Sequence, residues 1–386
     1  MKTRRFTLLA LFVGSVLFRA PAQTWEQTTS PAFNYPCIAS SADGTILLTS
    51  GYREDIPIYT STNGGGSWNI TSAPLGTWAG AASSADGKKL VAVGYSPGWC
   101  IYTSPDAGVT WISNHVPSLQ WNSVASSADG KRLVAVNNAP QTIYVSTNAG
   151  DVWTQATNAP TGIWRSVASS ADGTKVIAVN SYPGSIYTST DGGLGWRQAA
   201  NAPGAGWTSV ASSADGNKLV ATSSAGVYRS SDSGLTWISN SLPAAAWSAC
   251  GASADGSRLI VASRDGFIYT SVDSGATWKS NSVPTVSWNG VASSADGSKL
   301  FAAASGGGVW RLETTAAPEL HAATSAGRFH LAWVLPSMDF VLQHSADCSA
   351  ASWEDTTNLP TLNLSHLQYE IILPLSDRSF YRLNSQ

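Results

Sequence analysis

Charge is scarce in this chain of 386 residues: only 12% are Asp, Glu, Lys or Arg. Lys and Arg form no run or patch, which excludes the counterion-releasing surface that a nucleic-acid partner would need. Histidine is nearly as rare. His115 is the one histidine before residue 315, so neither a histidine metal centre nor a Ser-His-Asp triad can be assembled in that span. His321, His330, His344 and His366 follow at unrelated spacings. The four cysteines, Cys37, Cys100, Cys250 and Cys348, share no metal-ligand spacing and read as small buried apolar residues, with a structural disulfide as the alternative. Helical periodicity is missing too, so no phosphate-cradling loop precedes a helix. These absences leave no cofactor or metal to expect.

Long hydrophobic runs are also lacking, apart from one at the start. Phe6 to Phe18 is apolar but shorter than the ~20 residues of a membrane helix. Lys2, Arg4 and Arg5 precede it and Ala20-Pro21-Ala22 follows, the pattern of a signal peptide over residues 1–22. The expected mature chain starts at Gln23, is secreted or held at the cell surface, and has no membrane span. Losing that leader removes four basic residues and no acid, taking the net charge from −2 to −6.

What the sequence has in abundance is repetition. Ser-Ala-Asp-Gly recurs with its Asp at 43, 86, 129, 172, 215, 255 and 296, spaced 40 to 43 residues apart. A period of that length marks one supersecondary unit stacked on itself. The fourth copy shows its content. Trp164-Arg-Ser-Val-Ala-Ser-Ser reads as strand a, Ala171-Asp172-Gly173 as a hairpin turn, and Val176-Ile-Ala-Val as strand b. Ser185-Ile-Tyr-Thr-Ser is strand c, Thr190-Asp-Gly-Gly a second turn, and Trp196-Arg-Gln-Ala the start of strand d. Four strands in roughly 40 residues is the spacing of a propeller blade.

The c–d turns carry a family resemblance. Ser104-Pro-Asp-Ala-Gly-Val-Thr-Trp111, Ser189-Thr-Asp-Gly-Gly-Leu-Gly-Trp196, Ser230-Ser-Asp-Ser-Gly-Leu-Thr-Trp237 and Ser271-Val-Asp-Ser-Gly-Ala-Thr-Trp278 share one pattern. Ser61 to Trp68 and Ser146 to Trp153 repeat it with Asn63 and Asn148 in place of Asp. This resembles the Asp-box, or bacterial neuraminidase repeat, and implies an all-β, seven-bladed propeller of the sialidase-like superfamily over residues 23–315. The resemblance does not imply sialidase activity.

Seven first strands face six such turns, because the last unit ends at Gly308-Val-Trp-Arg311 without a strand d. Thr24-Trp25-Glu26-Gln27 matches the start of every strand d, so the N-terminal segment is expected to close the ring. After Ala316-Ala317-Pro318 the repeat vanishes. Residues 316–386 alternate like half-buried strands (Phe329–Trp333, Phe340–Gln343, Tyr369–Leu373, Phe380–Leu383) and resemble a small, loosely fibronectin-like β-sandwich module.

Chemistry is harder to find. The Asp residues of both turn sets cap tight turns and lie on one rim, away from the d–a and b–c loops where propeller ligands usually sit. On the ligand-side rim the polar candidates are Arg53, Glu54, Asp55, Arg165, Arg264 and Asp265. A glycosidase needs two carboxylates facing each other at about 5–9.5 Å, and Asp265 with Glu54 or Asp55 is the available pairing. Three arginines match the count around a sialic-acid carboxylate, yet the family's N-terminal Arg-Ile-Pro is replaced by Pro31-Ala-Phe-Asn-Tyr-Pro-Cys37. A second feature repeats in every blade. Eight residues before each turn Asp stands an aromatic: Tyr35, Trp78, Trp121, Trp164, Trp207, Trp247 and Trp288. Such a ring at the channel mouth would stack on sugar faces or grip a peptide; the competing reading makes each a wedge between blades. The Asp-to-strand-c spacing varies only from 13 to 16 residues, without the long blade-specific insertions of catalytic propellers.

The sequence therefore reads as a monomeric, non-catalytic binding or scaffold propeller, recognising an extracellular glycan or protein segment through its aromatic rim. A sialidase-like glycoside hydrolase built on the six polar residues is the alternative.

Overall fold

A computed structural model describes residues 24–95, 98, 100–139 and 141–313. In the C-terminal part it describes 321–325, 328–334, 340–345, 354–355, 361–363, 368–374 and 380–385. The expected leader and cleavage site over residues 1–22, and Cys348, lie outside these residues. All regular structure described is β, so no described helix is long and apolar enough to cross a membrane.

Residues 26–313 form seven four-stranded antiparallel sheets. Blades 1 to 7 begin with strands a at Cys37–Ser40, Trp78–Ser83, Trp121–Ser126, Trp164–Ser169, Trp207–Ser212, Trp247–Ala252 and Trp288–Ser293. Within blade 4 the order is Trp164–Ser169, Val176–Asn180, Ile186–Ser189 and Arg197–Gln198, matching the expected strands a to d. Strand b is buried along its whole length, as an apolar run sandwiched between neighbouring blades must be. Strand d has only two residues in each blade, both exposed, which keeps the outer edge too short to template foreign pairing.

Two independent closures make the sheets a ring. At the hub, Ala42 donates its backbone N–H to Ala85 O, Ala85 to Ala128 O, Ala128 to Ala171 O, Ala171 to Ala214 O, Ala214 to Ala254 O, and Ala254 to Ala295 O. Ala295 returns the last bond to Ala42 O at 2.7 Å. The methyl groups of these alanines pack together around the axis, which explains why a small residue precedes every turn Asp. At the periphery, Glu26–Gln27 pairs with Gly308–Glu313 as the fourth strand of blade 7, with Glu26 opposite Arg311 and Gln27 opposite Trp310. Trp25 is buried in the cluster of Trp288, Leu300 and Leu312, so the N-terminal segment supplies core as well as edge.

The C-terminal strands form a four-stranded and a three-stranded sheet. Leu331, Trp333, Ile371 and Leu373 of the first pack with Leu342 and Tyr381 of the second.

Candidate functional site

The ring of aromatics expected at the channel mouth is not a ligand surface. Tyr35, Trp78, Trp121, Trp164, Trp207 and Trp288 are fully buried and Trp247 is 2% exposed. Each Trp wedges between blades: Trp164 packs on Val134, Val136 and Ile143 of blade 3 as well as on Val167 and Val176 of its own. The strand c tyrosines meet these indoles edge to face, with centroids 5.2–5.9 Å apart in blades 2 to 6. A β-bulge follows each Trp immediately, shifting the register between, for example, Trp164 and Ser166. The bulge re-aims the first side chain of strand a into the interface. Burial of an indole there removes the largest apolar surface available to the repeat.

The turn aspartates are equally committed to the fold. In blade 2, Asp106 Oδ1 accepts from Thr110 N and from Ser104 Oγ, and Asp106 Oδ2 accepts from Thr110 Oγ1. Gly108, held at φ +91°, donates to Ser104 Oγ, and the Trp111 indole N–H reaches the Gly108 carbonyl. The equivalent bonds in blade 6 draw the Asp273 carboxyl down to about 2, chiefly through the Thr277 hydroxyl and N–H. A serine-lined well at this end of the axis offers little either. The hydroxyls of Ser40, Ser83, Ser126, Ser169, Ser212 and Ser293 all donate to the next residue's own carbonyl.

The described partners of the six polar candidates on the opposite rim are local. Arg53 pairs with Asp55 of its own loop at 3.4 Å, both about 70% exposed, beside exposed Glu54. Asp265 Oδ2 accepts from the Ala246 N–H and Arg264 N donates to Ala246 O, so this pair clamps the d–a loop of its own blade. Among the described residues no hydrogen bond or ion pair joins Asp265 to Glu54 or Asp55. Asp265 and Asp55 are thus each engaged by a group of their own blade, a backbone N–H for one and a guanidinium for the other. Arg165 has a different environment.

Arg165 belongs to a polar arc across blades 1 to 4. Tyr52, in the b–c loop of blade 1, lies opposite Thr77 in an isolated β-bridge, and the Thr77 carbonyl accepts from the Tyr95 N–H in blade 2. The two phenol rings meet edge to face at 5.9 Å. Tyr95 OH donates to Asn122 Oδ1 of blade 3 at 2.5 Å. The Asn122 amide donates to Asn138 Oδ1 and to the carbonyl of Trp164 in blade 4. Arg165 follows Trp164, is exposed, and is oriented by a 3.1 Å bond from Nε to Ser181 Oγ. Burial and the neighbouring Tyr52 push the Tyr95 phenol up to about 12 against the opposing pull of Arg165. Tyr95 is thus a neutral, half-buried pillar and Tyr52, at 47% exposure, an open aromatic face beside it.

Sequence reading found Arg165 and missed Tyr52, Tyr95 and Asn122. The signal was present as a departure from the repeat. Tyr52 and Tyr95 occupy b–c loops where blade 5 has only Ser224-Ala225 between strands b and c. Similar spacings disguised an uneven rim: aromatic loops in blades 1 and 2, with exposed Tyr182 in blade 4, face short ones in blades 5 and 7.

No protein-family model matches the sequence, and no curated protein does. Solved structures do resemble the fold. One is described as YCF48 bound to D1 peptide, with a TM-score of 0.59 and 15% identity over 77% of this chain and 98% of that one. A second, YCF48 from Cyanidioschyzon merolae, has a TM-score of 0.59 and 17% identity over 75% and 98%. The chain is a seven-bladed β-propeller. At such identity the propeller likeness is one of backbone alone, and the rim residues described above are this chain's own.

Proposed function

We propose that this is an exported, non-catalytic propeller that binds an extended protein segment across the b–c and d–a rim of blades 1 to 4. The observation that carries the reading is the Tyr52–Tyr95–Asn122–Arg165 arc, where an open aromatic face and an oriented cation are joined by a ring contact and a chain of hydrogen bonds. Aromatic and Arg side chains are the residues that anchor protein interfaces. The commitment of Asp265 and the turn acids to backbone capping argues against hydrolysis, and a propeller of like fold is described as bound to a peptide. Residues 1–22 support the export part of this reading. The repeated Ser/Asp/Gly/Trp bonding supports placing the turns with the Asp-box of the sialidase-like superfamily.

The test exposes the labelled protein in parallel to a peptide array, a glycan array and a panel of fluorogenic glycosides. Peptide binding that Tyr52→Ala weakens is expected. Binding confined to glycans, or turnover of any glycoside, would overturn the proposal.

A further inference from the structure

The residue that follows the strand a aromatic is charged in blade 4 alone; in blades 1 and 2 it is Pro36 and Ala79, whose side chains donate nothing. In blades 3, 5, 6 and 7 it is a small polar residue that donates to the carbonyl of the next blade's buried aromatic. Asn122 reaches Trp164 O, Thr208 reaches Trp247 O, Ser248 reaches Trp288 O and Asn289 reaches Tyr35 O, at 2.6–3.2 Å. Blade 4 has Arg165 there, and its side chain turns out to solvent toward Ser181 instead of stitching to Trp207. An exposed charge where four blades place an inter-blade donor breaks local consistency, and such breaks lie at functional sites more often than elsewhere.

The rest of the environment says what Arg165 is for. Its Nε is taken by Ser181, and its two Nη groups have no hydrogen-bond partner among the described residues. No carboxylate of the described residues lies within ion-pair distance, whereas Arg53 has one and Arg311 two. Tyr95 gives its proton to Asn122, whose amide holds the carbonyl of Trp164, so the phenol and the guanidinium are tied to neighbouring points of one network. Arg264, also exposed, has no side-chain contact that orients it among the described residues.

We propose that Arg165, framed by Tyr95 and Tyr52, receives a carboxylate of the bound protein segment, supplied by an Asp or Glu side chain or by a free C-terminus. The inference rests on the peptide-binding reading above. A guanidinium with one edge tethered and the other open presents a fork that matches a carboxylate bidentately, and the Tyr52 ring packs against the residue next to it.

The probe is an array of short N-terminally anchored peptides varied at their last two positions. It is made with free C-termini, as C-terminal amides, and as amides in which Asn and Gln replace Asp and Glu. Binding of the labelled protein should concentrate on carboxylate-bearing peptides and weaken with added salt. The first two sets separate a terminal from a side-chain carboxylate. Arg165→Gln should lower that binding by about tenfold or more, the value of a charged hydrogen bond, with an unchanged melting temperature. Arg165→Lys should recover part of it and Arg264→Gln should match the parent. Equal binding to the neutral amides, or parental binding by Arg165→Gln, overturns the carboxylate assignment and leaves peptide binding standing. Failure to bind any peptide overturns both.

Discussion

Glu26 lies opposite Arg311 where the first strand of the propeller joins its last sheet, with carboxylate and guanidinium 3.5 Å apart. The exposed ion pair itself contributes little. The consequence is topological: an edge strand from the start of the chain completes a sheet made by the end of the repeat. Trp25, buried beside it, does the larger share of the holding. Deleting the residues before Ser30, or Trp25→Ala alone, is expected to destabilise the propeller, the substitution by about 3–5 kcal/mol. Chemical denaturation of parent and variants checks this; identical midpoints would mean that the hub ring of alanines suffices for closure.

The buried aromatics make a second prediction. Trp121→Ala and Trp207→Ala each leave a large cavity between blades and should cost about 3–5 kcal/mol of stability. Peptide affinity of the fraction that remains folded should not change, because neither indole reaches solvent. A variant that melts normally yet loses binding would restore the aromatic-rim reading.

Those wedges mark where sequence stops being informative. The period, the turn aspartates and the orphan Thr24-Trp25 all encode topology, so seven blades and the N-terminal closure were legible. The position of Trp164 at a loop end was legible as well, but its direction depends on a bulge that one residue of register creates. No pattern of apolar residues distinguishes an indole facing the channel from one turned into the interface. The arc on the rim was hidden for another reason: Tyr52, Tyr95, Asn122 and Arg165 come from four blades, and only the stacking of consecutive blades brings them side by side.

The turns predict a pH response. The Asp273 carboxyl lies near 2 in the fold, held down first by the Thr277 hydroxyl and N–H and then by Ser271, against about 3.9 when unfolded. Its stabilising contribution is thus complete above about pH 4 and is lost as pH falls through about 2. Asp273→Asn removes the titration but keeps the acceptor, as Asn63 does in blade 1, where its Oδ1 accepts from Ser67 N. Melting temperature measured from pH 5 down to pH 2 should fall less steeply in the variant; parallel curves would remove Asp273 as a contributor.

Neighbouring blades interlock at the a–b turns in a way the repeat also writes. Gly173, at φ +72°, lies under Arg132 of the preceding blade, and a Cβ there would stand 2.7 Å from the Arg132 Cδ. Gly173→Ala is expected to cost more than about 1 kcal/mol, from the left-handed backbone and the contact together. Adding Arg132→Ala should recover only the contact part, since the backbone conformation still disfavours a side chain. Full recovery in a double-mutant cycle would show that backbone strain at this turn is negligible.

The last prediction sets stability against binding at one residue. Ser248 in blade 6 donates to both Ala262 O and Trp288 O, and the equivalent acceptors in blade 4 are the carbonyls of Val179 and Trp207. Arg165→Ser should allow the same hydroxyl stitch to form there, adding about 1 kcal/mol for a new partly buried hydrogen bond, while removing the cation from the rim. Raised thermal stability with lost carboxylate-peptide binding is therefore expected, the trade-off typical of a site where packing has yielded to recognition. Arg165→Gln separates the two effects, since a glutamine at this exposed position loses the charge without the short hydroxyl geometry. A drop in melting temperature for Arg165→Ser would show that the arginine stabilises blade 4 through its Ser181 contact, and the break in the repeat would then have a structural cause.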